Sequence, residues 1–151
     1  MSVIENKIFQ ATAVSWFIAQ FLKMLIYVIT HNNIRLIKAI ETGIWSTGGM
    51  PSSHSAVVCS LTASVGLIEG PSSNLFVFSL FFAFVVLRDS LGVRRASGIQ
   101  AKALNNLGKL TAGKTGIEFN TVKEIEGHSP LEVVAGGFLG TVLAFCFCYL
   151  L

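Results

Sequence analysis

Charged residues are scarce in this sequence. Only 13% of the 151 residues are Asp, Glu, Lys or Arg, whereas 52% are hydrophobic and the mean hydropathy is +0.67. Soluble globular domains carry about 25% charged residues, so the composition excludes that class. The apolar residues occur in long runs, as they do in helices that cross a bilayer. We predict a single all-α domain over residues 1–151, a polytopic membrane helix bundle with about four transmembrane helices plus interfacial helices.

Cysteines with the spacing of metal ligands are also missing. Cys59, Cys146 and Cys148 lie inside apolar runs, so we expect neither a metal nor a cofactor. A signal peptide is not indicated, because no basic cluster precedes the first apolar run and Lys23 interrupts it. We expect membrane lipids as partners and no nucleic acid.

Four apolar runs qualify as membrane spans: Ala11–Thr30, His54–Ile68, Leu75–Leu87 and Leu131–Leu151. The second and third are short for a bilayer of ~30 Å and need flanking residues to cross it. Ile34–Ile44 mixes charges with isoleucine and leucine, like a short interfacial helix. The last run contains Gly136 and Gly140, a spacing that lets helices approach closely. A homo-oligomer through such glycine-containing faces is one possibility.

If the chain crosses the membrane four times, the segment before the second span and the segment after the third span lie on the same face of the membrane. Nine of the eleven Lys and Arg residues lie on that face, together with His54 and His128. The positive-inside rule predicts that this face is cytoplasmic. We therefore expect an integral membrane protein whose two histidines meet at the cytoplasmic surface.

The stretch Thr47–Ala56, TGGMPSSHSA, predicts the start of the second helix. Serine is a strong N-cap and proline is tolerated in a first turn, so His54 falls in the opening turn after Ser52 and Ser53. Backbone N–H groups and the positive end of the helix dipole suit an anion such as phosphate there. The alternative is an ordinary capped membrane helix with an interfacial histidine.

His128 and Glu132 form a second candidate site. They stand four residues apart, on one face of a helix. A carboxylate in this position can accept the imidazole N–H and leave the other ring nitrogen free to attack. The alternative is a capping histidine beside an unrelated acid, but acids inside a span tend to mark function.

Several cations are candidates for binding phosphate: Lys23, Arg35, Arg88, Arg94 and Arg95. Lys23 could instead snorkel to the membrane surface, and some of the arginines could be a positive-inside collar. Asp89 can pair with one of the arginines or contribute to the substrate site. The sequence does not choose among these roles.

Gly108–Thr115 matches the nucleotide-binding pattern GxxxxGK[ST]. That motif needs a preceding strand, a following helix and a parallel sheet, and the short region after Leu87 cannot supply them. We predict a helix over Val93–Leu107 and a flexible basic loop over Gly108–Gly116.

Three stretches resemble the divergent branch of the type 2 phosphatidic acid phosphatase (PAP2) superfamily, relatives of the vanadium haloperoxidases. They are TGGMPSSHSA, RDSLGVRRASGIQA at Arg88–Ala101 and GHSPLEVVAGGFLG at Gly127–Gly140. In the superfamily the histidine of PSGH protonates the leaving group, a role that falls to His54. The histidine of SRxxxxxHxxxD attacks phosphorus and is oriented by the acid, which implies His128 and Glu132 here.

The sequence also departs from the superfamily's pattern. Ser53 stands in place of glycine, Val122 in place of the arginine before the second histidine, and Thr30 where KxxxxxxRP has its arginine after Lys23. The resemblance implies a metal-independent phosphatase for a lipid phosphate. Because the superfamily's lysine and arginine motifs are absent, we predict phosphate binding by Lys23, Arg94, Arg95 and the Ser52–Ser53 helix start from their own charge and hydrogen-bonding chemistry. The alternative is a non-catalytic membrane protein that binds a lipid headgroup or a partner.

Overall fold

The computed structural model describes residues 2–30, 49–124 and 127–150. This part of the chain contains a 3-10 turn at Val3–Glu5, five α-helices and no β-strand. The helices are α1 (Lys7–Thr30), α2 (Ser53–Ile68), α3 (Asn74–Leu91), α4 (Val93–Thr115) and α5 (Pro130–Leu150). The all-α prediction is confirmed. The predicted interfacial helix Ile34–Ile44, with Arg35, and the first two residues of the Thr47–Ala56 stretch lie outside the described residues.

Four of the helices form a bundle around α2. This helix packs against α1, α3 and α5, and its contact with α5 is the most extensive in the bundle. α1, α5 and the apolar part of the α3–α4 pair are long and apolar enough to cross a membrane. α2 has only 16 residues, about 24 Å of helix. Three longer helices surround it.

The interior of the bundle consists of small side chains. The buried apolar residues are alanines and valines, and eight serines are buried with them. The hydroxyl of Ser15 on α1 donates to the hydroxyl of Ser60 on α2 at 2.9 Å. Large side chains point outward instead: Phe78, Phe81 and Phe138 are each more than 60% exposed. This pattern fits a protein surrounded by lipid, where helices associate through small residues and interhelical hydrogen bonds.

Glycines on α5 allow its close approach to α2. A Cβ atom at Gly136 would lie 2.2 Å from the carbonyl oxygen of Ser52, and one at Gly140 would lie 2.0 Å from that of Ala56. The predicted close approach through this glycine spacing therefore occurs within the chain. A homo-oligomer stays a prediction, and it would need a face other than Gly136 and Gly140.

The region after α3 folds as α4 followed by a non-helical segment that runs back along it, and here the predicted loop is wrong. α4 continues through Gly108 to Thr115 and ends at Gly116, which has a left-handed backbone with φ +71°. Its Ala, Leu and Lys residues favour helix, and Gly108 is buried because the Phe119 ring packs against it. In this helix the backbone N–H groups of the GxxxxGK[ST] match are bonded within the helix and do not form a phosphate-binding loop.

Residues 117–124 run back along α4 towards the bundle. The side-chain amide of Asn105 donates to the carbonyl of Val122 and accepts from its N–H, both at 2.8 Å. It also donates to Glu124 at 2.8 Å. Asn105 is buried, so these bonds satisfy its amide. Residues 117–124 thus return the chain to the first turn of α4, and α5 begins soon afterwards.

Candidate active site

The starts of α2 and α5 lie side by side at one end of the bundle. The backbone N–H of Ser52 donates to the carbonyl of Glu132 at 3.0 Å. The hydroxyl of Ser52 caps α2 by accepting from the N–H of Ser55 at 3.3 Å. Ser52 and Ser53 are both buried. The cap predicted from the sequence is confirmed, and it is joined to the helix that carries the second histidine.

His128 and Glu132 form the predicted pair. His128 Nδ1 lies 2.9 Å from Glu132 Oε2. Because a carboxylate only accepts hydrogen bonds when ionised, this contact favours the imidazole tautomer with the proton on Nδ1 and the lone pair on Nε2. The ring is 2% exposed, and Nε2 has no hydrogen-bond partner among the described residues. A buried nitrogen without a partner is uncommon and suits a nucleophile.

Glu132 has a second partner that the sequence analysis missed. The same Oε2 accepts from the backbone N–H of Ser129 at 3.2 Å, and the hydroxyl of Ser129 accepts from the N–H of Glu132 at 3.4 Å. This is the reciprocal capping box of a helix start. The signal was present as Ser-Pro-Leu-Glu at Ser129–Glu132. The capping box fixes the orientation of the Glu132 carboxylate, and the carboxylate in turn orients the imidazole of His128.

His54 faces His128 across the two helix starts. The ring centroids are 6.0 Å apart, with an angle of 59° between the ring planes. His54 is exposed while His128 is buried. One imidazole therefore lies in the wall of the site and the other at its solvent side.

Cations lie near His54 and near Glu132, the partner of His128. Lys23 is only 4% exposed, which excludes snorkelling to the surface and leaves its phosphate-binding role as a prediction. Its charge acts on both Glu132 and His54. Gly49 lies against its alkyl chain, where a Cβ atom would be 3.4 Å from the Cγ and Cε atoms of Lys23. A buried lysine within a span is costly and tends to be functional.

The second cation comes from the junction of α3 and α4. Arg94 Nε donates to Asp89 Oδ2 at 2.6 Å, so Asp89 pairs with an arginine as the sequence allowed. The charges of Arg94 and Asp89 both act on His54. Arg88 and Arg95 have exposed side chains that form no ion pair within the described part of the chain. Phosphate contacts from these two arginines stay predictions.

A backbone contact brings α4 to the site, and nothing in the sequence pattern indicated it. A Cβ atom at Gly127 would lie 2.3 Å from the Cα atom of Arg95, so only glycine fits here. This contact sets His128 beside the first turn of α4, where Arg94 lies. The structure thus gathers His54, His128, Glu132, Lys23 and Arg94 at one end of the bundle.

Comparison with known proteins identifies the family of this chain. The profile of the Divergent PAP2 family matches residues 4–143. The chain belongs to this family. It is also 38% identical over 125 residues to an uncharacterized membrane protein, YuiD, of Bacillus subtilis (strain 168), an alignment that covers 70% of this chain and 74% of that protein. No solved structure matches the chain.

Family membership confirms the resemblance drawn from the three stretches. It relates the chain to the PAP2 phosphatases, and the membrane relative together with the three long apolar helices identifies an integral membrane protein. The matched region contains every residue of the site described above. Because fold similarity does not by itself establish activity, the reaction follows as a proposal.

Proposed function

We propose that this protein is a metal-independent phosphatase that hydrolyses a lipid phosphate monoester through a phosphohistidine intermediate. The observation that carries the proposal is the His128–Glu132 pair. Its Nε2 is buried without a hydrogen-bond partner among the described residues, and the His128 ring lies beside a second imidazole, with centroids 6.0 Å apart. In a near-attack complex the reacting atoms are about 3 to 3.5 Å apart, so a phosphoryl group between the rings is within reach of both.

In the first step His128 Nε2 attacks phosphorus and the bond to the lipid oxygen breaks. His54, protonated, gives its proton to that oxygen, and the lipid alcohol leaves. In the second step neutral His54 takes a proton from water, whose oxygen attacks phosphorus. The phosphorus–nitrogen bond breaks, orthophosphate leaves and His128 is restored.

Electrostatic stabilisation comes from the helix starts and the two cations. The equatorial oxygens gain negative character in the transition state. Lys23 and Arg94 supply positive charge, and Asp89 orients Arg94 at 2.6 Å. The positive end of α2, with the backbone N–H groups of Ser53 and His54, adds donors that need no reorganisation. We assign these donors the role of the arginine that Val122 replaces.

The substrate class follows from the position of the site at the end of a membrane bundle. An anionic lipid phosphate such as phosphatidate, phosphatidylglycerol phosphate or a polyprenyl phosphate places its phosphate at headgroup level. We propose that the site faces the cytoplasm, because nine basic residues lie on that side of the predicted topology.

The test is phosphate release from these lipids by the purified protein in detergent micelles. We expect turnover that EDTA leaves intact and vanadate inhibits. His128→Ala should lower the rate at least about 10³-fold, and Glu132→Gln about 10²- to 10⁴-fold, because the amide no longer fixes the tautomer. Trapping of labelled phosphate on the wild-type protein but not on His128→Ala would identify the intermediate. Full phosphate release by His128→Ala contradicts the mechanism.

A second candidate is a non-catalytic protein that binds a lipid headgroup. It is favoured by one observation, that Val122 occupies the place of the superfamily's arginine and its backbone bonds to Asn105. Such a protein would bind lipid phosphates without releasing phosphate. His54→Ala and His128→Ala would then leave its cellular role unchanged, whereas loss of Lys23 or Arg94 would abolish headgroup binding.

A further inference from the structure

A groove on the outside of the bundle lies at the bend between α3 and α4. Its volume is about 870 Å³, and it is lined by side chains from both helices, chiefly Phe84, Leu87, Leu91, Val93 and Ala96. All of these are apolar. Arg88 also lines the groove and is the one charged residue among the described residues that do so.

Arg88 lines this groove, whereas its neighbour Asp89 belongs to the histidine site. Neighbouring residues on a helix point about 100° apart, and Asp89 points to the site, where it pairs with Arg94. The Arg88 side chain is exposed and makes neither a hydrogen bond nor an ion pair with the described residues. An unpaired cation above an apolar surface is the arrangement that an amphiphile with an anionic head complements.

α4 places this groove at the level of lipid headgroups. Val93, Ile99, Leu107 and Leu110 lie within one half of the helix circumference, and each is more than 60% exposed. Four of the five basic residues of α4 lie on the other half: Arg94, Arg95, Lys102 and Lys109. Lys114, in the last turn, lies on the apolar half, at the end of the helix far from the groove. An amphipathic basic helix of this kind lies in the membrane interface with its apolar face towards the acyl chains. Val93 joins that face to the groove.

We propose that the α3–α4 bend binds one anionic phospholipid of the surrounding bilayer, distinct from any substrate at the histidines. The lipid phosphate pairs with Arg88, and an acyl chain lies along Phe84, Leu87 and Leu91. Charge complementarity selects an anionic over a zwitterionic headgroup, because the described residues that line the groove include a cation and no acid to pair with a choline. The bound lipid contacts both helices and so stabilises the bend that contains Asp89 and Arg94.

The test measures lipid preference by fluorescence quenching in reconstituted bilayers. Trp16 and Trp45 are replaced by phenylalanine, and a reporter is introduced as Phe84→Trp in the groove. The matched control is Phe81→Trp, which is equally exposed on α3 (66% against 62%) but does not line the groove. Each protein is placed in phosphatidylcholine bilayers that contain either phosphatidylglycerol or phosphatidylcholine brominated near the headgroup end of one acyl chain.

We expect brominated phosphatidylglycerol to bind at the Phe84→Trp reporter about fivefold more tightly than brominated phosphatidylcholine, the effect of one basic residue at an anionic surface. Arg88→Gln should abolish this preference, while Arg88→Lys keeps most of it and Lys109→Gln leaves it unchanged. Equal quenching by both lipids at Phe84→Trp overturns the proposal. So does a preference that survives in Arg88→Gln or that is as large at Phe81→Trp. These readouts involve no turnover and are independent of the phosphatase proposal.

Discussion

At the scale of single residues, the two histidines occupy different environments, and this difference assigns their roles. His128 is 2% exposed and held by a carboxylate at 2.9 Å, whereas His54 is exposed. A nucleophile benefits from a fixed orientation and a dry site, while a group that exchanges protons with water benefits from access to it. The proposed mechanism therefore predicts that substitutions of the two histidines affect different chemical steps.

The two steps can be measured separately with an aryl phosphate whose leaving group needs no protonation. We expect His54→Ala to release about one equivalent of the phenol in a burst, followed by turnover about 10²- to 10⁴-fold slower than wild type, because the phosphohistidine forms but water is not activated. His128→Ala should give no burst. Stopped-flow absorbance at the phenol's wavelength makes the measurement. A burst in His128→Ala, or its absence in His54→Ala, would contradict the assigned roles.

At the scale of helices, the contact between α2 and α5 holds the two histidines in register. Gly136 lies on the carbonyl of Ser52, two residues before His54, and Gly140 lies on that of Ala56. Both contacts are with backbone, which cannot move aside without shifting the helix. The Ser52–Glu132 hydrogen bond at 3.0 Å joins the same two helices.

Gly136→Ala and Gly140→Ala should each destabilise the bundle by about 1 to 3 kcal/mol, the usual cost of overpacking. Gly137→Ala is the matched control, because its Cβ atom would meet only the Cys59 sulfur, at 3.2 Å. Thermal unfolding in detergent, followed by far-ultraviolet circular dichroism, gives the comparison. Melting temperatures for Gly136→Ala and Gly140→Ala no lower than that of Gly137→Ala would refute the close packing.

At the scale of the whole molecule, the proposal needs both histidines on one side of the membrane. Single cysteines at Lys114 and Ser72, in a background without the native cysteines, should react with an impermeant maleimide from opposite sides of the membrane. Lys114 should be labelled only from the cytoplasm, because the nine basic residues of its face hold that face inside and the 69–74 turn has none. Labelling of both positions from the same side would separate His54 from His128 and remove the proposed site.

Local sequence patterns determined much of this protein. Long apolar runs define the four bundle helices, serine caps fix the start of α2, and the four-residue spacing predicts the His128–Glu132 bond. These features depend on residues within one or two helical turns, where the backbone geometry is known in advance. The end of α4 was predicted too early, at Leu107, because glycines suggested a loop where Phe119 packs on Gly108.

The tertiary structure alone decided how the distant groups meet. The contact of Gly127 with Arg95 and the bond from Ser52 to Glu132 join separate helices or the segments between them. The choice of Arg94 as the partner of Asp89 depends on the bend between α3 and α4, and Lys23 is buried only because other elements pack against it. No spacing along the chain specifies such contacts. They depend on how closely two backbones approach. Glycines and serines on α2 and α5 permit a close approach, but they do not specify which helix packs against which. The chain's composition therefore specified a membrane bundle with two histidine-bearing helix starts, and the packing of α5 on α2 placed those starts around a single site.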